Sequence, residues 1–200
     1  MSGDLTLVRP AEQYLASYVA ALRRGWSPDN LRDEATAEHL ARIAADPRAF
    51  LAAQVDIEAK GGAIVLPDGT TGRRLPGYVL WLWDGEFCGT IGFRWQPGTE
   101  ALPPTCLGHI GYSVVPWKQR RGYATRALRE VLPQAAHQGL QYVEITTLPD
   151  NRASQRVIEA NGGQFIEDFV APAALGGRVH RRYRIALSHT QPVDRGSTRG

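Results

Sequence analysis

Gln119-Arg120-Arg121-Gly122-Tyr123-Ala124 lies between the apolar run Ile110–Val115 and a strongly periodic helix. Gly122 removes the Cβ that would hold a ligand away from the backbone, and small Ala124 keeps the first helical turn open. The first amide N–H groups of that helix lack intrahelical acceptors, and the helix dipole favours an anion beside them. Lys118, Arg120 and Arg121 add positive charge around the same point. A strand, a glycine turn and a helix start in this order read as a backbone grip on a pyrophosphate.

The pattern on either side is α/β. His109–Val115 is an apolar strand, and Pro116, which cannot continue a central ladder, ends or splays it. Ala124, Ala127, Leu128, Val131, Leu132, Ala135 and Ala136 repeat at helical spacing, Pro133 is expected to kink that helix, and Gly139 to cap it. Tyr142–Thr147 reads as a buried strand, Asn151 as the cap of a short helix ending near Asn161-Gly162, and Gln164–Val170 and Arg181–Leu187 as closing strands.

Upstream, Leu5–Arg9 is a short strand and Ala11–Arg24 carries a helical stripe at Leu15, Tyr18, Val19 and Leu22. Ser27-Pro28-Asp29 is expected to open a second helix through about Phe50, with Leu31, Leu40 and Ile43 as its apolar positions. Lys60–Gly77 reads as a loop or small hairpin turning at Asp68-Gly69. Tyr78–Trp83 and Phe87–Trp95 form a hairpin at Asp84-Gly85. The 200 residues suit a single domain over 1–187, followed by a flexible tail over 188–200.

Composition narrows the function classes. The formal net charge of +3 is modest, and no basic run is interleaved with aromatics, which argues against nucleic-acid binding. The Arg178–Arg184 segment reads as a solvated strand face. Cys88 and Cys106 match neither a metal-ligand spacing nor a disulfide framework. No signal peptide or membrane-spanning stretch is visible, so a cytoplasmic protein with no membrane partner is expected.

The two blocks H-I-G-Y-S-V-V-P-W-K-Q-R-R-G-Y-A-T-R-A-L and D-N-R-A-S-Q-R-V-I-E-A-N-G-G resemble the GNAT superfamily of acyl-CoA N-acyltransferases. The first matches the superfamily's Q/R-x-x-G-x-G/A signature and the second its other cofactor-lining helix; the likeness covers roughly residues 5–187. It extends to a bacterial subgroup of acetyltransferases whose substrates are mostly unknown. It implies a mixed central sheet of about six to seven strands, flanked by about four helices and splayed at the cofactor strand. It also implies direct transfer of an acetyl group from acetyl-CoA to a primary amine, on a small molecule or a protein, and leaves a homodimer open. Backbone groups of Val114 and Val115 would pair with the pantetheine arm, with a strand amide near Val115 holding the oxyanion. Gln119, Arg120, Arg121, Gly122, Tyr123, Ala124 and Thr125 would cradle the pyrophosphate, and Asn151 and Ser154 would bind from the other side.

His109, at the start of the cofactor strand, is the expected base, because imidazole is mostly neutral near pH 7 and can accept the amine's proton. The alternatives are a packed strand histidine in that position, or Glu144 as the base. Ile158 stands where the family places a tyrosine that protonates the leaving thiolate, so no acid is assigned; Ser154 and Tyr183 are weak candidates. Trp26, Trp81, Trp83, Phe93, Arg94 and Trp95 are expected around the acceptor, Asp84 and Glu86 in solvent, and Cys88 as a small buried residue. The missing tyrosine keeps a second reading alive, a non-catalytic module that binds or senses acyl-CoA.

Overall fold

The computed structural model describes residues 4–29, 32 and 34–188. Within them β1 (Thr6–Val8) leads into α1 (Glu12–Arg23), α2 (Ala35–Ala45) and α3 (Pro47–Ala52). Short β2 (Val55–Asp56) and the small hairpin β3 (Ile64–Val65) and β4 (Thr71–Gly72) precede the long hairpin β5 (Gly77–Trp83) and β6 (Phe87–Arg94). Then come β7 (Ile110–Val114), α4 (Tyr123–His137), β8 (Tyr142–Thr147), α5 (Arg152–Glu159), β9 (Gln164–Val170) and β10 (Val179–Ala186). The expected tail beyond Ser188 and Leu31 of the second helix lie outside the described residues.

The second helix differs from expectation. Ser27 Oγ turns back onto the Asp29 carbonyl, and α2 starts only at Ala35. Asp46 then divides α2 from α3, because its carboxylate accepts the Ala49 N–H at 2.9 Å and Pro47 occupies the first helical position. Capping aspartate followed by proline is a strong start signal, and it outweighs the run of helix formers around it.

Two antiparallel sheets result. In the first, β1, β5, β6 and β7 lie in order, with β2 sharing the β1 edge of β5 at its Gly77–Tyr78 end. The second runs β8, β10, β9. Alternation along the strands feeds two cores. Leu82, Ile91, Phe93 and Ile110 pack against Ala127, Leu128 and Val131 of α4, and Val143, Ile145, Tyr183 and Ile185 of the second sheet join them. On the opposite face Trp81 stacks on Tyr18 of α1, with Trp26, Phe50, Phe87 and Val115 around it.

The sheets meet at the His109 end of β7, away from Pro116, where the strand was expected to end or splay. β7 and β8 form no ladder; the His109 N–H donates to the Glu144 carbonyl at 2.7 Å, and the Glu144 N–H donates to His109 Nδ1 at 2.9 Å. At the other end of β7, Gly89 has φ +148°, and a Cβ there would stand 2.1 Å from the Ser113 carbonyl oxygen. Only glycine allows β6 to run that close beside β7 opposite Val114.

Candidate functional site

Strand register decides which backbone groups of β7 are free. Arg94 N–H donates to the His109 carbonyl, and Val115 N–H donates to the Cys88 carbonyl at 3.0 Å. Hydrogen-bonded and non-bonded pairs alternate in an antiparallel ladder. The positions between these bonds, Gly111 and Ser113, therefore face β6, while Ile110, Tyr112 and Val114 turn their N–H and C=O groups away from it, toward β8. Among the described residues that edge has no ladder partner. The Val114 carbonyl receives the side-chain amide of Gln119 at 3.3 Å, so Gln119 closes back on the strand while its neighbours form the loop.

Val115 differs from the expectation. Its N–H is committed to Cys88, its carbonyl accepts the Lys118 N–H at 2.9 Å, and its side chain is fully buried. Its role is packing, and the free strand amide belongs to Val114.

The loop has the expected shape. Arg120 and Gly122 both adopt positive φ, 60° and 75°, and Gly122 is the N-cap of α4 with no side-chain cap. No hydrogen bond reaches the backbone N–H of Arg120, Arg121, Gly122, Ala124 or Thr125 among the described residues. A Cβ on Gly122 would meet nothing within 4 Å, so its outer face is open to a ligand. The Arg120 and Arg121 side chains are exposed.

Lys118 plays a different part from the one expected of it. Its ammonium is buried and paired with Asp84, 3.0 Å from each carboxylate oxygen, and with Glu86 at 2.6 Å. The Tyr123 hydroxyl donates to Asp84 at 2.6 Å. Burial alone would raise the Asp84 pKa, but hydrogen bonds from Tyr123 and Lys118 outweigh it and bring the value down to about 2. Asp84, with its side chain 2% exposed, is thus no solvated turn residue. It ties the β5–β6 turn to both ends of the anion loop, a link that sequence reading missed.

On the other side of the opening, Asn151 caps α5 by accepting the Ser154 N–H at 3.0 Å. The Ser154 hydroxyl sits 2.9 Å from the Tyr112 hydroxyl, which also donates to the Ser154 carbonyl at 3.3 Å. Tyr112 therefore bridges β7 to α5. Ile158, one turn beyond Ser154, is wholly buried in the α4 core. Tyr183 is core as well, its hydroxyl reaching Glu159 at 3.3 Å. The alternation Tyr112, Val114 along one strand edge was the sequence signal that could have singled out Tyr112.

His109 is fully buried, and its pKa falls to about 4, chiefly through burial. A backbone N–H can only donate, so Nδ1 is the acceptor in the Glu144 bond and the proton of the neutral ring sits on Nε2. Nε2 touches no partner among the described residues. The Nδ1 lone pair is used and Nε2 carries the proton, so no lone pair faces an incoming amine. Glu144 is paired with Arg184 at 2.8 Å and Arg182 at 3.6 Å, which also shows that the arginines of β10 are ion-paired and not merely solvated.

A cavity of about 390 Å³ opens on the α1–α3 face of the first sheet, lined among others by Gln54, Val79, Gly92, Arg94, Thr105 and Thr146. Of the six residues expected around an acceptor, only Phe93 and Arg94 line it. Trp26, Trp81 and Trp95 are buried in the cores, and Trp83 packs on Tyr14. Cys88 is buried with its thiol pushed up to about 12 by burial, which suits a packed residue and not a nucleophile. Among the described residues no cluster suits a metal ion, and no helix is long and apolar enough to cross a membrane.

Residues 5–164 match the family profile described as Acetyltransferase (GNAT) domain. Comparison with curated proteins returns no match. Among solved structures the chain is similar to the microcin C7 self-immunity acetyltransferase MccE, in complex with acetyl-CoA and AMP, with a TM-score of 0.61 and 14% identity over 93% of this chain and 97% of that one. It is similar to RimL, a ribosomal L7/L12 alpha-N-protein acetyltransferase in complex with coenzyme A, with a TM-score of 0.56 and 16% identity over 92% and 94%. A third is yncA, a putative acetyltransferase from Salmonella typhimurium with its cofactor acetyl-CoA, with a TM-score of 0.52 and 16% identity over 96% and 98%. At these identities the likeness is one of fold.

Proposed function

This chain belongs to the GNAT acetyltransferase family, and we propose that it transfers an acetyl group from acetyl-CoA directly to a primary amine. The observation that carries this reading is the unladdered edge of β7 running into the amide-rich loop at the start of α4. A pantetheine arm carries amides of its own and can pair with such an edge as a strand would. The diphosphate then falls where the N–H groups of Arg120 to Thr125 converge, with Asn151 and Ser154 on the far side.

The chemistry follows from the free groups. The neutral amine attacks the thioester carbonyl, the C–N bond forms, and the oxyanion is received by the Val114 N–H, which is fixed in the strand and needs no reorientation. The C–S bond then breaks. Tyr112 lies two residues from Val114, about 7 Å along the strand, and burial raises its pKa to about 12. It stays protonated at neutral pH. Full proton transfer from such a hydroxyl to a thiolate with a pKa of about 8.5 would be uphill, so Tyr112, accepting from the Ser154 hydroxyl, turns its one proton from the Ser154 carbonyl to the departing sulfur and steadies it by a hydrogen bond. The amine's proton leaves through solvent in the cavity. His109 acts as a positioning residue that pins β7 to β8 and so holds the Val114 edge open.

A thiol-release assay with acetyl-CoA and a panel of amines tests the proposal, alongside calorimetric titration of acetyl-CoA. Amine-stimulated release is expected. Tight acetyl-CoA binding with no amine able to stimulate release would overturn the transfer reading and leave the acyl-CoA-binding module. RimL is described as a ribosomal L7/L12 alpha-N-protein acetyltransferase, and at 16% identity that acceptor does not carry over to this chain.

A further inference from the structure

Four arginines line the acceptor-side cavity; Arg73 is exposed to solvent, and of the three half-buried ones Arg94 stands apart. Arg32 is paired with Glu38, and Arg74 lies against Asp56 at 3.6 Å while donating to the Gly62 carbonyl at 2.7 Å. Asp56 is further held by the N–H groups of Lys60 and Gly61, and Asp29 at the cavity wall has a partner of its own. Arg94 is half-buried, and its guanidinium has no hydrogen bond or ion pair among the described residues. Leaving a cation partly desolvated without an acceptor is costly, so such a group marks a place where an anion is received.

The surface beneath it is also specific. Gly92 and Gly111 face each other in register on β6 and β7. A Cβ on Gly92 would stand 3.5 Å from Arg94 Nη2, and one on Gly111 would stand 3.4 Å from it. Nη2 thus lies over the Gly92–Gly111 pair, in space that side chains at those two positions would contact. From Gly111 to Val114 is three strand residues, about 10 Å at roughly 3.3 Å per residue. Ser113, on the same face of β7, is held by the Trp26 indole N–H at 3.0 Å and lines this direction.

We propose that the acceptor carries an oxyanion, a carboxylate or phosphate ester, roughly 10 Å from its reacting amine, and that Arg94 receives that group above the Gly92–Gly111 pair. This rests on the acetyl-transfer reading of the Val114 edge. The planar guanidinium suits either anion bidentately. A free α-amino acid is too short to place its amine at Val114 while its carboxylate meets Arg94. The fitting class is an extended molecule with the amine at one end and the anion at the other.

The test uses the full chain and a homologous series of ω-amino carboxylates, the matching amides, and ω-aminoalkyl phosphates. The long members of the anionic series should exceed their neutral amides in kcat/KM by about 10- to 100-fold, the range of one charge-assisted contact. Glycine should show no such preference. Arg94→Gln should erase the preference while acetyl-CoA affinity is unchanged, and Arg94→Lys should restore part of it, which a merely structural arginine would not do. Equal turnover of anion and amide by the native protein, or a preference that survives in Arg94→Gln, would overturn the proposal. Should no amine be turned over, equilibrium binding of the same pairs to the CoA complex decides the point separately: tighter binding of the anion, lost in Arg94→Gln, supports the Arg94 site although transfer has failed, and equal binding overturns it.

Discussion

A hydroxyl that steadies a leaving thiolate must be protonated, aimed and close to the bond that breaks. Tyr112 is protonated because burial holds its pKa up, and it is aimed because Ser154 fixes the phenol against α5. Tyr112→Phe removes the donor and keeps the ring. We expect kcat to fall about 10- to 100-fold, the weight of one hydrogen bond to a developing charge, with acetyl-CoA affinity unchanged; an undiminished kcat would reassign the residue to packing. His109 gives a different signature. Its folded pKa of about 4 lies below the ordinary 6.5, so the unfolded chain binds its proton first as pH falls. Its contribution is complete above pH 6.5 and is lost between there and pH 4, to the extent of roughly 3 kcal/mol. Denaturation midpoints measured from pH 7 to 4 should decline steeply in the native chain and less steeply in His109→Gln. Part of the slope will persist through His39, which burial also brings to about 4. An unaltered slope in the variant would show that His109 does not titrate as buried.

At the scale of elements, the anion loop owes its shape to groups outside it. Gly122 supplies the left-handed turn, while the Asp84–Lys118–Tyr123 cluster holds the loop's two ends to the β5–β6 hairpin. Gly122→Val should leave a folded protein, because no atom crowds the new Cβ, but it should weaken acetyl-CoA binding at least tenfold through the strained φ and the blocked face. Titration calorimetry beside a circular-dichroism melt checks both halves, and retained affinity in a folded variant would remove the loop from the cofactor site. Asp84→Ala should cost about 1–3 kcal/mol in urea unfolding, since it leaves the buried Lys118 ammonium with Glu86 alone and takes the acceptor from the Tyr123 hydroxyl; acetyl-CoA affinity should fall with it. Local signals such as Gln119–Ala124, Asp84-Gly85 and Asn151 were legible in the sequence because each acts within a few residues. The roles of Asp84, Lys118 and Val115 were not, because they depend on partners across the sheet. Alternation along one strand shows which residues share a side, but register across the sheet decides which neighbour that side meets.

For the whole molecule, the decisive feature is that two antiparallel sheets share a core yet, among the described residues, are hydrogen-bonded backbone to backbone at His109 and Glu144 without a ladder between them. The order of strands and helices was readable from periodicity, and so was the end of β7, from Pro116. The acceptor side was not. Trp26 and Trp81 proved to be core around Tyr18, Trp83 packs on Tyr14 and Trp95 stacks on Phe93, while the cavity wall includes glycines, which leave no hydrophobic trace in a sequence. A ligand lying along the Val114 edge would supply the bonds that β7 and β8 do not make with each other, and so should stiffen both sheets together. At a hundredfold excess over Kd, acetyl-CoA should stabilise the fold by about 2.7 kcal/mol. Hydrogen exchange locates that effect. The amides of Tyr112 and Val114 should slow on binding, together with those of Arg120 to Thr125 and the β8 strand. Protection confined to the loop, with Tyr112 and Val114 exchanging as before, would mean that the phosphates bind there while the arm lies elsewhere, and the assignment of the strand edge would fail.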